Sequence, residues 1–196
     1  MARYSPEHKE ATRRRMIETA GRRFKSDGID GSGIATLMAD AGLTNGAFYA
    51  HFASKDSLLA TAIANELDTL HANIVAQADP GAAGLEQVVR WYLSAHHRDN
   101  PGDGCPNAAL LDEIARSADA IRQAYTDGVL VVIDGLAARM SPEDPPSARV
   151  KALSLLGLMA GTLQLSRALT DQQLSDDLLE QGVRKALALV DAEQHI

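Results

Sequence analysis

Breaks rich in glycine and proline cut this chain into segments whose apolar residues recur every three or four positions, and that spacing decides what it can fold into. From Pro6 to Lys25 the stripe is Ala11, Met16, Ile17, Ala20 and Phe24; from Lys55 to about Gln77 it includes Leu58, Leu59, Ala62, Ile63 and Leu70. Ser5-Pro6 is a helix start and Asp27-Gly28 a stop, because Gly28 can take the left-handed conformation that closes a helix. Two short helices are expected next, one over 33–40 capped by Ser32 and one from the cap Thr44 to about His51. Beyond a break at 78–84, further helices are expected over 85–98, 107–117, 119–140, 147–169 and 172–191. No strand-length run alternates between hairpin turns. Val129–Ile133 is β-branched enough for a strand, but among helical neighbours it reads as a buried helix turn. The fold class is all-α.

At 196 residues the chain can bury one good core, or one core with a small appended domain. Its 45% hydrophobic and 23% charged residues are those of a globular protein rather than a disordered one. The polar start offers no leader-like apolar segment, and the most apolar stretch, 150–165, is broken by Lys151, Ser154, Thr162 and Gln164. With one cysteine and so no internal disulfide, a cytoplasmic location without a membrane partner is expected. The net charge of −7 argues against a polyanionic partner until its distribution is considered. Residues 1–60 carry nine Lys/Arg against seven Asp/Glu, whereas the remainder carries ten against nineteen. A basic head on an acidic body suits local phosphate contact.

The most informative stretch is 34–59, in which a short apolar-faced helix ends in Ala41-Gly42-Leu43 and a very short helix follows. Thr44, Asn45, Gly46 and Ala47 then cluster at a helix N-terminus. This is the pattern of a helix-turn-helix, whose second helix sets its first residues against base edges in the major groove.

Ala41-Gly42-Leu43-Thr44, Phe48-Tyr49-Ala50-His51-Phe52, Lys55-Asp56 and Leu58-Leu59, with Phe24, Gly28, Ile34, Leu37 and Met38 upstream, stand in fixed register. In that register the segment resembles the TetR family of bacterial repressors. The resemblance covers roughly 13–59 and implies a three-helix DNA-binding domain at 1–59, then a ligand-binding and dimerisation domain at 60–196. It implies that Thr44 caps the recognition helix and contacts phosphate or a base edge, and that Asn45, Gly46 and Ala47 face the groove floor. Asn45 could pair with adenine and Ala47 could touch a thymine methyl. Tyr49, His51 and Lys55 would hold phosphates, with Ser32 and the cluster Arg13–Arg15 as further backbone candidates. Because Gly46 and Ala47 offer so little side chain, DNA shape would carry much of the specificity. The implied partners are operator double-stranded DNA, a small-molecule inducer and a second copy of the chain; no cofactor is expected.

In the body, Leu153, Leu156, Gly157, Ala160, Gly161 and Leu163 form one apolar face and Leu178, Leu179, Gly182, Val183, Ala186, Leu187 and Val190 another. These are the dimer-interface candidates; the alternative is that they close the core of one chain. Trp91, Tyr92, His96, Leu110, Tyr125, Val129 and Met159 combine apolar bulk with polar handles and are pocket candidates. Cys105, near a predicted helix N-terminus and one loop from His96, His97 and Arg98, has two readings. It is a thiolate that senses oxidants or electrophiles, or a buried small hydrophobe. The other functional classes are an enzyme built on His96, His97, Asp99 and Cys105, and a helical protein-binding adaptor. No metal-spaced Cys/His set, phosphate loop or nucleophile motif supports the enzyme.

Overall fold

The computed structural model describes residues 6–77 and 81–191. Its helices are α1 (Pro6–Asp27), α2 (Ile34–Asp40), α3 (Asn45–Tyr49), α4 (Lys55–Gln77), α5 (Gly81–Tyr92), α6 (Ala95–Asp99), α7 (Asn107–Ala115), α8 (Asp119–Met140), α9 (Pro145–Ala168) and α10 (Gln172–Asp191), with a 3₁₀ turn at Pro101–Asp103. There is no strand among the described residues, and the Val129–Ile133 run lies inside α8, with Val129, Val132 and Ile133 buried. No helix among them is long and apolar enough to cross a membrane. Ser5 and residues 78–80 of the expected break lie outside the described residues.

Helices α1, α2 and α3 form the head, with Met16, Ile17, Phe24, Leu37, Met38 and Phe48 closing its core. Two glycines punctuate it. Gly28 (φ 79°) ends α1 with its N–H on Phe24 O at 2.9 Å. Gly42 (φ 65°) ends α2 in a Schellman motif, its N–H on Ala39 O at 2.9 Å and the Leu43 N–H on Met38 O at 2.8 Å.

Helix α4 leaves the head and enters the body without a break. It opens on a reciprocal cap: the Ser57 N–H donates to Ser54 Oγ (3.1 Å) and the Ser54 N–H to Ser57 Oγ (3.2 Å). Leu58, Leu59, Ala62, Ile63, Leu67, Leu70 and Ile74 are all buried. Glu66 lies against Gly21 of α1, while Leu67 and His71 lie against Gly128 and Gly135 of α8. Helix α8 packs on α9 and α9 on α10, completing the body.

Three expectations need correction. The single helix expected over 85–98 is two, because the Ser94 hydroxyl accepts from the His97 N–H (3.1 Å) and starts α6 afresh. Ser32 does not cap α2: Gly33 holds that position without a side-chain cap, and the buried Ser32 hydroxyl donates to Gly28 O at 3.0 Å. Finally, Leu156, Ala160, Leu179 and Val183 are buried within one chain and close its core, Leu187 is half-buried, and Leu153 and Gly157 are exposed.

A Cβ at Gly42 would meet no atom within 4 Å, so its replacement costs backbone strain alone. Gly42→Ala is expected to lower stability by about 1 kcal/mol, and Gly42→Asn by less, since Asn tolerates the left-handed region. Urea titration should show the midpoint falling with an unchanged slope.

Candidate nucleic-acid interface and sensing core

The recognition element is small: α3 has five residues. Thr44 occupies its N-cap position with extended backbone (φ −90°, ψ 156°), but its hydroxyl makes no cap bond and is left exposed. The helix is seated by Phe48, fully buried and stacked on Phe52 at 6.0 Å between centroids. With that side anchored, Asn45 and Gly46 face solvent, Ala47 is half-buried, and Tyr49 projects with 68% of its surface exposed, its ring edge-on to Phe48.

Beside α3 runs a groove of about 440 Å³ between it and the first turns of α1, lined by His8, Lys9, Thr12, Arg15, Thr44, Ala47 and His51 among others. Lys9 and Thr12 are additions that the motif did not single out. The signal was present in the helical spacing of residues 8, 12 and 15. The three arginines diverge: Arg15 lines the groove, Arg14 is exposed, and Arg13 sits over the Phe52 ring at 4.9 Å.

Two expected phosphate ligands are differently placed. His51 is half-buried with an unpartnered Nδ1; burial first, then the charges of Lys9 and Arg13, push its pKa below the usual value. The Lys55 ammonium donates to Ile29 O and lies 6.0 Å from the Phe24 ring, so it ties the head together. Ser32, as described, points inward.

The body holds a buried polar cluster. The Tyr125 hydroxyl donates to Asn107 Oδ1 (2.7 Å), Asn107 Nδ2 donates to Cys105 Sγ (3.1 Å), and the Cys105 N–H donates to His97 Nε2 (2.9 Å). His97 Nδ1 lies 2.7 Å from Tyr92 O. Since Nε2 must accept, the proton is on Nδ1 and the ring is neutral. Burial pushes its pKa down to about 4, with the Tyr92 carbonyl opposing. The ring is stacked on Trp91 (5.3 Å) and edge-on to Tyr92 (4.8 Å). Arg167 donates to the carbonyls of His97, Arg98 and Ala108, joining α6 and α7 to α9.

Among the pocket candidates, Tyr92 and Met159 are buried, Tyr125 is half-buried, and Trp91 is at the rim. His96 is exposed beside Asn100 and does not join the cluster. The Tyr92 hydroxyl is buried without a hydrogen-bond partner. It lies beside the Cys105 sulfur, and each perturbs the other's protonation.

Cys105 is buried, and its burial raises the thiol pKa, outweighing the opposing contacts of Tyr92 and Asn107. It precedes Pro106, the N-cap of α7, and so stands outside that helix's first turn. Both His97 ring nitrogens are taken by backbone groups and Arg98 turns to Ser175 and Asp176, so neither activates the sulfur.

Residues 16–62 match the family model described as bacterial regulatory proteins, tetR family. No curated protein matches the sequence. The fold is similar to that of E. coli NemR in its reduced form, at TM-score 0.72 and 18% identity over 90% of this chain and 95% of that one. It is also similar to a TetR-family transcriptional regulator from Cytophaga hutchinsonii (TM-score 0.70, 20% identity, 95% and 97% covered). A third such structure, from Agrobacterium tumefaciens, gives TM-score 0.73 at 16% identity, with 90% and 98% covered.

His97 supplies a pH test. The unfolded chain takes up this proton near pH 6.5, whereas the folded chain resists until about pH 4. The favoured neutral form therefore contributes stability above pH 6.5 that is lost as pH falls towards 4, by at most about 3 kcal/mol. Denaturant titrations across that window should show a steeper acid loss in the wild type than in His97→Gln.

Proposed function

We propose that this chain, whose residues 16–62 match the model of the tetR family of bacterial regulatory proteins, is a DNA-binding transcriptional regulator, a homodimeric repressor released from its operator by a small molecule. The observation that carries the reading is the exposure pattern of α3, in which buried Phe48 fixes a helix whose Asn45, Gly46 and Tyr49 project outward. On this reading Asn45, Gly46 and Ala47 meet base edges, while Thr44, Tyr49, Lys9 and Arg15 hold the flanking phosphates. His51 lines the same groove, half-buried. The head takes residues up to about 59, and the body takes the rest.

The dimer would form through α9 and α10. Val150 (76% exposed), Leu153, Gly157, Gly161 and Leu165 lie on one stripe of α9, and a Cβ added at either glycine would meet nothing within 4 Å. Leu174, Leu178, Lys185 and Ala188 form the adjoining stripe of α10. Small residues on such a stripe let a partner helix come close. The dimer would thus use the outer faces of these helices, with Leu156, Ala160, Leu179 and Val183 supporting them from within.

The inducer would bind where the body is polar inside, between Trp91, Tyr92, Tyr125 and Met159. The unpartnered Tyr92 hydroxyl favours a compound presenting a hydrogen-bond acceptor, since such an acceptor would remove the cost of an unsatisfied buried donor. A thiol-sensing repressor draws less support, because Cys105 is buried with a raised pKa and reactive thiols have the opposite character. On the small-molecule reading, Cys105→Ser leaves the response to oxidants unchanged.

Fluorescence anisotropy with DNA flanking the coding region tests the proposal. Affinity for the native duplex should exceed that for a scrambled one and fall steeply with salt, with a log–log slope near −0.9 per phosphate neutralised. Tyr49→Ala should weaken binding to all duplexes alike. Asn45→Ala should cost about 1–3 kcal/mol of discrimination at one base pair. Equal, salt-insensitive binding to both duplexes would overturn the reading in favour of a protein-binding adaptor.

A further inference from the structure

Lysine is seldom fully buried unless it is paired. Lys25, near the end of α1, has a side chain only 4% exposed. Its ammonium is paired with the Glu66 carboxylate of α4 and donates to Gly104 O at 2.8 Å. These partners lie 41 and 79 residues away, both beyond the helix-turn-helix. Gly21, one turn before Lys25, makes room for the pair, since a Cβ there would stand 2.3 Å from Glu66 Oε1.

The partner carbonyl belongs to the 101–105 loop, which is gripped from the other side by the body. A Cβ at Gly104 would stand 2.5 Å from His97 Nε2, and the next residue donates its N–H to that same nitrogen. Lys25 therefore connects through Gly104, Cys105 and His97 to the Tyr92 carbonyl of α5. A second tie runs nearby, where the Ile29 N–H donates to Glu113 Oε2 of α7 at 2.8 Å. Apolar packing does little of this work. Gly102 rests on Ser26 and Arg22, and a crevice of about 300 Å³ lined by Glu18, Asn65, Thr69 and Asp103 opens beside the clamp.

We propose that Lys25 is a positioning residue for DNA binding, clamping the 101–105 loop onto the head and so setting the angle at which the body presents the recognition helix. The inference rests on the dimeric-regulator reading above and adds the contact through which the state of the core reaches the head. A change at Tyr92 or His97 moves the loop, and the loop carries the carbonyl that Lys25 holds. The clamp matters for a duplex with two half-sites, where the spacing of both heads must be right, and not for one half-site.

The test compares Lys25→Met combined with Glu66→Gln, so that no buried carboxylate is left unpaired, with Lys25→Arg, in the full chain. The probes are a duplex selected by the wild-type protein from a random-sequence pool and the same duplex cut to one half-site. The double variant should lose about tenfold in affinity on the full site and keep wild-type affinity on the half-site, as expected for one lost charge-assisted bond. Lys25→Arg keeps the charge but fits the buried site less well, so it should lose less than the double variant on the full site and keep wild-type affinity on the half-site. Amide exchange should quicken together at Cys105 and Ile29 in the double variant.

Wild-type affinity on the full site, or equal losses on both duplexes, would overturn the proposal; the second would show damage to the head alone. Should the double variant fail to fold, Gly102→Val applies the same test. A Cβ there would stand 2.5 Å from Ser26 Oγ, 3.2 Å from Arg22 Cγ and 3.5 Å from Arg22 O, so a branched side chain crowds the loop against α1 without touching the ion pair. If the wild-type protein selects no duplex, the regulator reading fails by itself, and the paired exchange at Cys105 and Ile29 still decides whether the clamp exists.

Discussion

Helix α4 is buried at both ends, and the rest of the structure depends on that. Leu58, Leu59, Ala62 and Ile63 are covered near its start and Leu67, Leu70 and Ile74 further along, where it meets α8. Burying each large aliphatic side chain contributes about 1.5–3 kcal/mol, so neither end can detach cheaply. A head of one long and two short helices has too little core to hold its shape alone, and α4 lends it one face of a larger core. The same arrangement means that a tilt of α4 against α8 becomes a displacement of α3.

Polar contacts then settle what apolar packing leaves free. A hydrophobic seam tolerates sliding and rotation; hydrogen bonds to fixed atoms do not. Lys25 on Gly104 O, Glu113 on the Ile29 N–H and Arg167 on three carbonyls each link elements distant in sequence. His97 is the hinge point of this set. It is kept neutral by burial, held by backbone groups at both nitrogens, and sandwiched by Trp91 and Tyr92. Through Gly104 and Cys105 it stands on a continuous path from the Tyr92 carbonyl to Lys25 of the head.

Much of the fold was legible because its signals are local. The bounds of α4, α8 and α10 follow from caps, breaks and three-and-four spacing, and Gly42 announces the turn before α3. The misreadings share a cause. Ser94 is as good a cap as Ser32, yet one starts a helix and the other does not, because the Ser32 hydroxyl finds Gly28 O nearby. Spacing identified Leu156 and Val183 as apolar-face residues without saying whether the same chain or a second copy covers them. Lys55 matched the motif, but its bond to Ile29 O needed the packed head to be seen. Lys25 carried no sequence signal at all, since both its partners are tens of residues away.

In the proposed dimer the body holds two recognition helices about one DNA turn apart. The direct test is electron–electron distance measurement between spin labels at Ala39→Cys, an exposed position on α2 that is given no DNA contact, in the two protomers with Cys105→Ser as background. With the duplex bound, a narrow distribution is expected, as for recognition helices held ~34–36 Å apart, broadening and shifting when an inducer releases it. A broad distribution with duplex bound, or no measurable distance between protomers, would contradict it.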